Sequence, residues 1–197
     1  RILEVVQRPS SALKELLENA LDAGASRVAV LVKEGGVRLL QVQDNGGGIR
    51  EEDLPILCHR HTTSKIREFD DLRTVSTLGF RGEALASISY VAHVTVTTMR
   101  AGQEHALRAT YKDGEMEGEP KACAGVPGTT VTVEDMFYNV LARRKALRSV
   151  GEEYARILEV VGRYAIFSQG VAFSCRRQGQ SGTDINTSGA GARVDTI

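Results

Sequence analysis

Much of what would set this sequence apart from ordinary globular proteins is missing. Its longest unbroken apolar run, Val28 to Val32, is far too short to span a bilayer. No charged-then-apolar signal peptide opens it. Its three cysteines, Cys58, Cys123 and Cys175, are odd in number and widely spaced, with no Cys-x-x-Cys pair. That is neither a disulfide framework nor a zinc signature, and it fits a reducing cytosolic or nuclear compartment. Neither sign of charge is in excess, with 25 Lys+Arg against 25 Asp+Glu. A whole-domain electrostatic grip on DNA is therefore not expected, although a local basic patch is compatible with the balance. There is no internal repeat and no nuclease-like metal cluster. There is also no opening methionine and no closing motif, so the 197 residues are expected to be an excised piece of a longer chain, one domain or one domain and part of another. The 42% hydrophobic content excludes disorder throughout.

Periodicity supplies the elements. Residues 10–23 predict a helix, with Ser10 or Ser11 as cap and Gly24 as stop; Leu13, Leu16, Leu17, Ala20 and Leu21 recur at helical spacing. Arg27 to Lys33 alternates as a strand, Glu34-Gly35-Gly36 turns, and Val37 to Gln43 returns as its hairpin partner. A short helix with an acidic first turn is expected over 50–60, then a long loop over 61–80 and a helix over 83–89. Strands are expected at 91–98, 105–112 and 129–134, helices at 136–147 and 152–167, and a closing strand at 171–177. From Gln178 the Gly, Ser and Thr content reads as a loop or linker. The order predicts an α+β fold: a two-layer sandwich of a mixed, mainly antiparallel sheet with helices on one face.

Four places carry chemistry. On the first helix, Glu15, Glu18, Asn19 and Asp22 form a stripe at i, i+3, i+4 and i+7. A solvated face is the ordinary reading. The sharper one is a neutral oxygen from Asn19 for a hard cation such as Mg2+, with Glu15 taking a proton from an attacking water. Asp44-Asn45-Gly46-Gly47-Gly48 follows a strand directly, and three successive glycines exceed what most turns need. An acceptor carboxylate beside such a loop can read an amino group on a base edge. Thr62-Thr63-Ser64-Lys65 and Gly79-Phe80-Arg81-Gly82-Glu83-Ala84-Leu85 lead into a helix start, where backbone N–H groups favour anions. Their spacing is neither the Gly-x-x-x-x-Gly-Lys-Ser/Thr phosphate loop nor the Rossmann fingerprint. Gly128-Thr129-Thr130-Val131 enters a strand.

In this order the four resemble the ATP-binding superfamily of gyrase, the heat-shock chaperone, histidine kinases and MutL. The runs RPSSALKELLENALDAG, QDNGGGI, TTSK, STLGFRGEALASIS, GTTVTVEDMFYN and ARRKAL are similar to the DNA mismatch-repair MutL family. The run from Val133 to Tyr164 most resembles the eukaryotic MutL homologue 1 branch. The resemblance covers about Val5 to Gly179 and implies an ATP-binding domain over 1–179, with 180–197 a linker towards a further, transducer domain. It implies that Glu15 is the general base and Asn19 the Mg2+ ligand. It also implies that Asp44 accepts from the adenine amino group, that Gly48 lies beside the base, and that the Thr129 hydroxyl supports adenine recognition. Thr63, Ser64 and Lys65 match the nucleotide lid, and Arg81, Gly82, Glu83, Ala84 and Leu85 the turn that cradles phosphates. Implied partners are a paralogous PMS-type MutL subunit, MutS-type mismatch-recognition proteins and weakly, nonspecifically bound DNA, in the nucleus and with no membrane. The family's Ala-Ala-Gly-Glu-Val run before the first helix is replaced here by Arg-Ile-Leu-Glu-Val, which bears on dimerisation.

Three functions compete: a slow Mg-dependent ATPase, a nucleotide-gated binding module without turnover, and a histidine kinase. Glu15 favours water activation over phosphotransfer, and no phospho-acceptor helix pair is visible. Cys58, His59 and His61 make an incomplete metal set. Arg143, Arg144, Lys145 and Arg148 read as a solvated helix face before a DNA contact, and Phe137 and Tyr138 as core before base-stacking residues.

Overall fold

The computed structural model describes residues 6–59, 84–147 and 149–190. The expected loop over 61–80 lies outside them. Helix α1, Pro9–Asp22, begins one residue before the expected span 10–23 and without either serine as its cap. Its N-cap is Arg8, without a side-chain cap; Pro9 opens the helix instead. Proline costs nothing there because its missing N–H would have had no helical partner. The other end follows expectation. Gly24 sits at φ 73°, its N–H reaches the Leu21 carbonyl at 2.9 Å, and the Ala25 N–H reaches Ala20 at 3.2 Å. This double bond pattern absorbs two orphan carbonyls and needs a left-handed residue at the turn.

The strands are β1 (Arg27–Lys33), β2 (Leu39–Asp44), β3 (His93–Met99), β4 (Ala106–Lys112), β5 (Glu115–Cys123), β6 (Gly128–Glu134), β7 (Ala172–Arg177) and β8 (Ile185–Asn186). They form one sheet in the order β5-β4-β3-β6-β2-β1-β7-β8. Only β1 and β7 pair in parallel, so the sheet is mixed and mainly antiparallel, as expected. Helices α1, α2 (Ala84–Ser89) and α4 (Val150–Phe167) pack on one face, against β2, β3 and β7 and against one another. In α4, Tyr154, Ile157 and Val161 bury the predicted stripe, and Ser149 caps the start by accepting the Glu152 N–H at 3.0 Å.

Three expectations fail. Strand β5 was not visible because the charges of EMEGEPKAC alternate with Met, Gly, Pro and Ala, too little apolar bulk for a buried stripe, and its residues lie exposed or half-exposed along the sheet edge. Edge strands need no buried stripe, and Gly118, Pro120 and the charges suit an edge that must not recruit another strand. The helix expected over 136–147 shrinks to α3, Leu141–Ala146. Asp135 and Phe137 hold left-handed φ values of 52° and 63°, which no helix allows. Burial of the Phe137 ring and a bond from its N–H to the Val91 carbonyl keep them there. The loop expected from Gln178 is interrupted by β8, and the Tyr154 hydroxyl donates to Asp184 at 2.6 Å. The short helix expected over 50–60 forms as a 3-10 helix, Glu51–Ile56, with Pro55 inside it. Among the described residues no helix is long and apolar enough to cross a membrane.

Candidate nucleotide site

Three strands lie side by side with matched register, and their helix-facing residues form rows. Leu40 pairs with Val133, which pairs with Val94; Val42 pairs with Val131, then Val96; Asp44 pairs with Thr129, then Thr98. Two rows are apolar and buried. The third, at the sheet end, turns polar while staying on the same face, because side chains two apart on a strand point the same way. Thr98 and Thr129 are nearly as buried as the valines beside them. A buried polar row must be satisfied internally or it destabilises the fold.

It is satisfied, and the partners are informative. The Asp44 carboxylate accepts the Gly46 N–H at 2.8 Å and is also bonded by the Thr129 N–H. Burial still holds its pKa above the ordinary aspartate value, with those two amides working in the opposite direction. The Thr98 hydroxyl lies 3.0 Å from the Thr129 hydroxyl, accepts the Ile49 N–H at 2.9 Å and donates to the Gly128 carbonyl at 3.2 Å. Asn45 holds the loop's first turn by accepting the Ser26 and Arg27 N–H groups at 3.0 and 2.8 Å.

The glycines divide by cause. Gly48 has φ 74°, and a Cβ there would meet the Met99 carbonyl oxygen at 2.5 Å. A Cβ at Gly46 would meet the Ala23 carbonyl oxygen at 2.7 Å, and one at Gly128, φ 125°, would meet that of Asp44 at 2.1 Å. Backbone packing dictates these three. A Cβ on Gly47 would touch only the Ala23 carbonyl oxygen, at 3.7 Å, so the protein itself does not require glycine there. The Gly47 N–H donates to that Ala23 carbonyl at 2.9 Å, and the Ala23 N–H to the Asn19 carbonyl at 3.0 Å. The last turn of α1 is thereby fastened to the glycine loop. A cavity of about 370 Å³ opens beside it, lined by Ala23, Gly47, Gly48, Ile49, Arg50, Asp53, Ile56, Leu57 and Arg100. Arg50 is held at its wall by Asp53, at 2.7 and 3.0 Å.

The stripe on α1 does not stay together. At roughly 100° per residue, Glu18 and Asn19 stand at its opposite borders. Glu18 turns to the helix layer, where it is buried and accepts the Tyr164 hydroxyl at 2.7 Å. Glu15, Asn19 and Asp22 are half-buried. Ala84 and Leu85 open α2, both buried. Thr63, Ser64, Lys65, Arg81, Gly82 and Glu83 lie outside the described residues, as does His61. Burial pushes the Cys58 thiol up to about 12, so it is neutral near pH 7, whereas His59 is exposed. Among the described residues no group of three or more His, Cys, Asp or Glu is placed to hold a metal. The basic run is partly consumed: Arg143 donates to the Val6 carbonyl at 3.1 Å and sits 5.8 Å over the Phe137 ring, while Arg144 and Lys145 are exposed.

Residues 7–127 match the family described as histidine kinase-, DNA gyrase B- and HSP90-like ATPase. The chain belongs to that ATPase family. Within it, the chain sits with the MutL and MLH1 proteins of mismatch repair. It is 52% identical to the DNA mismatch repair protein MLH1 of Saccharomyces cerevisiae over 93% of this chain and 24% of that protein. With the mismatch repair protein MutL of Cellvibrio japonicus it shares 48% identity over 90% of this chain and 28% of that one. Among solved structures, the Aquifex aeolicus MutL ATPase domain complexed with ADP superposes with a TM-score of 0.76 at 28% identity, covering 98% of this chain and 69% of that one. The chain thus spans roughly a quarter of the length of the curated relatives it matches.

Residue Thr98 escaped the sequence reading. In HVTVTTM it is one of three threonines. Counting four residues on from Val94 and two on from Val96 would have placed it on the buried face, but only register shows that it meets Thr129.

Proposed function

We propose that this chain is the N-terminal ATPase domain of a MutL-type mismatch-repair protein, binding ATP at the polar end of its buried rows and hydrolysing it slowly. The observation that carries the reading is a single one: Asp44, a half-buried carboxylate whose two amide partners leave acceptor capacity unspent, beside a glycine loop in a chain of this ATPase family. Its acceptor oxygens suit the adenine amino group, Gly48 and the exposed Gly47 backbone suit a flat base, and Thr129 adds a hydroxyl. A relative of similar fold is described as complexed with ADP.

Asn19 has one neutral oxygen on the α1 turn that is bonded to the glycine loop, which fits Mg2+, an ion that takes few protein ligands and fills its remaining positions with phosphate and water. When bound, Mg2+ would neutralise charge on the phosphates. Glu15, one turn earlier, is the general base in this reading and takes the proton of the attacking water at its carboxylate. Thr63, Ser64 and Lys65 act as the lid, and Arg81 to Leu85 as the turn towards the phosphates. Lid closure is coupled to N-terminal dimerisation with a paralogous PMS-type subunit, and the assembly works with MutS-type proteins on DNA in the nucleus. Residues 1–179 are the nucleotide-binding unit, and 180–197 begin the connection to a transducer domain.

Steady-state phosphate release tests this. Glu15→Ala should keep ATP affinity and lower turnover by roughly 10^2- to 10^4-fold. Turnover equal to that of the parent chain would place water activation elsewhere. A parent chain that binds ATP without releasing phosphate would make the nucleotide-gated binding module the better description.

A further inference from the structure

Thr98 has three hydrogen-bonding contacts and three places to put them. A threonine hydroxyl offers one proton and two lone pairs. The Ile49 N–H can only donate, so it occupies one lone pair. The Gly128 carbonyl can only accept, so it takes the one proton. The 3.0 Å contact to Thr129 must then use the remaining lone pair of Thr98. This is the one assignment that satisfies all three partners together. It commits the Thr129 proton to Thr98 and leaves the Thr129 oxygen with lone pairs only. Asp44, its neighbour across β2 and β6, also presents lone pairs when ionised.

We infer that Thr98 is a specificity-determining positioning residue: by accepting the Thr129 proton it makes Thr129 an obligate acceptor, so that the paired acceptors of Asp44 and Thr129 select a purine that presents a C6 amino group to them over one that presents a C6 carbonyl. The inference rests on the reading of the Asp44 row as the base site. Thr98 touches no nucleotide itself. Without its oxygen the Thr129 hydroxyl is free to rotate and donate, and the site loses its preference for a donor-bearing edge. The same oxygen ties the Gly48–Ile49 loop to β3, so the wall beside the base and the polarity of its neighbour share one anchor.

The test is equilibrium titration with ATP and with GTP on Thr98→Val, Thr98→Ser and Asp44→Asn. Thr98→Val should weaken ATP about tenfold, the loss of roughly one net hydrogen bond, while GTP is not weakened, so the ATP-over-GTP preference falls by the same factor. Thr98→Ser, which keeps the hydroxyl, should restore both. A merely structural role would move the two nucleotides together, and an equal change in both, or no change, overturns the inference. If Asp44→Asn weakens ATP and Thr98→Val does not, only the role of Thr98 fails. If neither weakens it, the base site itself is misplaced and the inference falls with it. Should Thr98→Val not fold, Thr98→Cys, of serine-like volume but a poor hydrogen-bonding atom, takes its place in the comparison with serine.

Discussion

Two polar regions of this sheet look alike in composition and differ in everything else. The open face carries Gln41, Gln43, Thr95, Thr97, Thr130 and Thr132 around a hollow of about 500 Å³ that reaches Asp44 and Thr129 at its end. The covered face carries only Asp44, Thr129 and Thr98 in its polar row, beside a smaller cavity. On the open face the side chains meet water, and their few contacts are long: Thr132 to Gln41 at 3.2 Å and Arg108 to Thr97 at 3.4 Å. On the covered face Thr98 and Thr129 are buried, Asp44 is half-buried, and all three are paired. Water screens the first region and competes for its hydrogen bonds. The second holds a carboxylate at an energetic disadvantage that a ligand can relieve. Partial burial of a carboxylate, more than volume or polarity, marks the candidate site.

That contrast can be tested at a carboxylate buried elsewhere in the fold, Glu18. Glu18 relies on the Tyr164 hydroxyl at 2.7 Å and on Lys14 at 3.9 Å. Tyr164→Phe removes the shorter contact and should cost about 1.5–3 kcal/mol, the range for a hydrogen bond to a charged group. Urea unfolding measures it, and an unchanged midpoint would mean that water replaces the tyrosine.

Asp44 should behave in the opposite sense. Its pKa is raised in the folded chain, chiefly by burial. Between its unfolded and folded values the native state binds more protons, so its contribution to stability falls as pH rises through that window. Asp44→Asn should therefore be somewhat more stable than the parent at pH 7, and the difference should vanish below the unfolded value. A less stable variant at neutral pH would show that the amides from Gly46 and Thr129 outweigh burial. ATP binding, which needs the ionised acceptor, should strengthen with rising pH across the same window in the parent chain and lose that dependence in the variant.

The smallest effect belongs to the open face. Thr130→Val and Thr132→Val should each shift stability by no more than about 0.5 kcal/mol, as surface substitutions do. A larger loss in unfolding experiments would mean that this face is not simply solvated.

The fold was legible wherever burial imposes a period. Leu13, Leu16, Leu17 and Ala20 drew α1; Val28, Val30 and Val32 drew β1. Strand β5 lies at an edge with no buried stripe, and the run after Met136 is shaped by left-handed residues that only the Phe137 pocket enforces. Of the candidate site, the strand-end positions of Asp44, Gly48 and Thr129 were legible because a glycine cluster and a Gly-Thr entry mark strand ends. Glu18 looked like one more member of an acidic stripe until α4 supplied Tyr164. Thr98 depended on which strand lies beside which, a long-range fact that no local spacing encodes.

The central claim is that the covered row, not the larger hollow, holds the base. Gln43 and Asp44 are adjacent in sequence and point to opposite faces of β2. Calorimetric ATP titration of Asp44→Asn beside Gln43→Ala tests it directly. Asp44→Asn should weaken ATP about 10- to 150-fold, and Gln43→Ala should leave affinity within about twofold. Equal losses, or a loss confined to Gln43→Ala, would contradict the account and move the base to the open face.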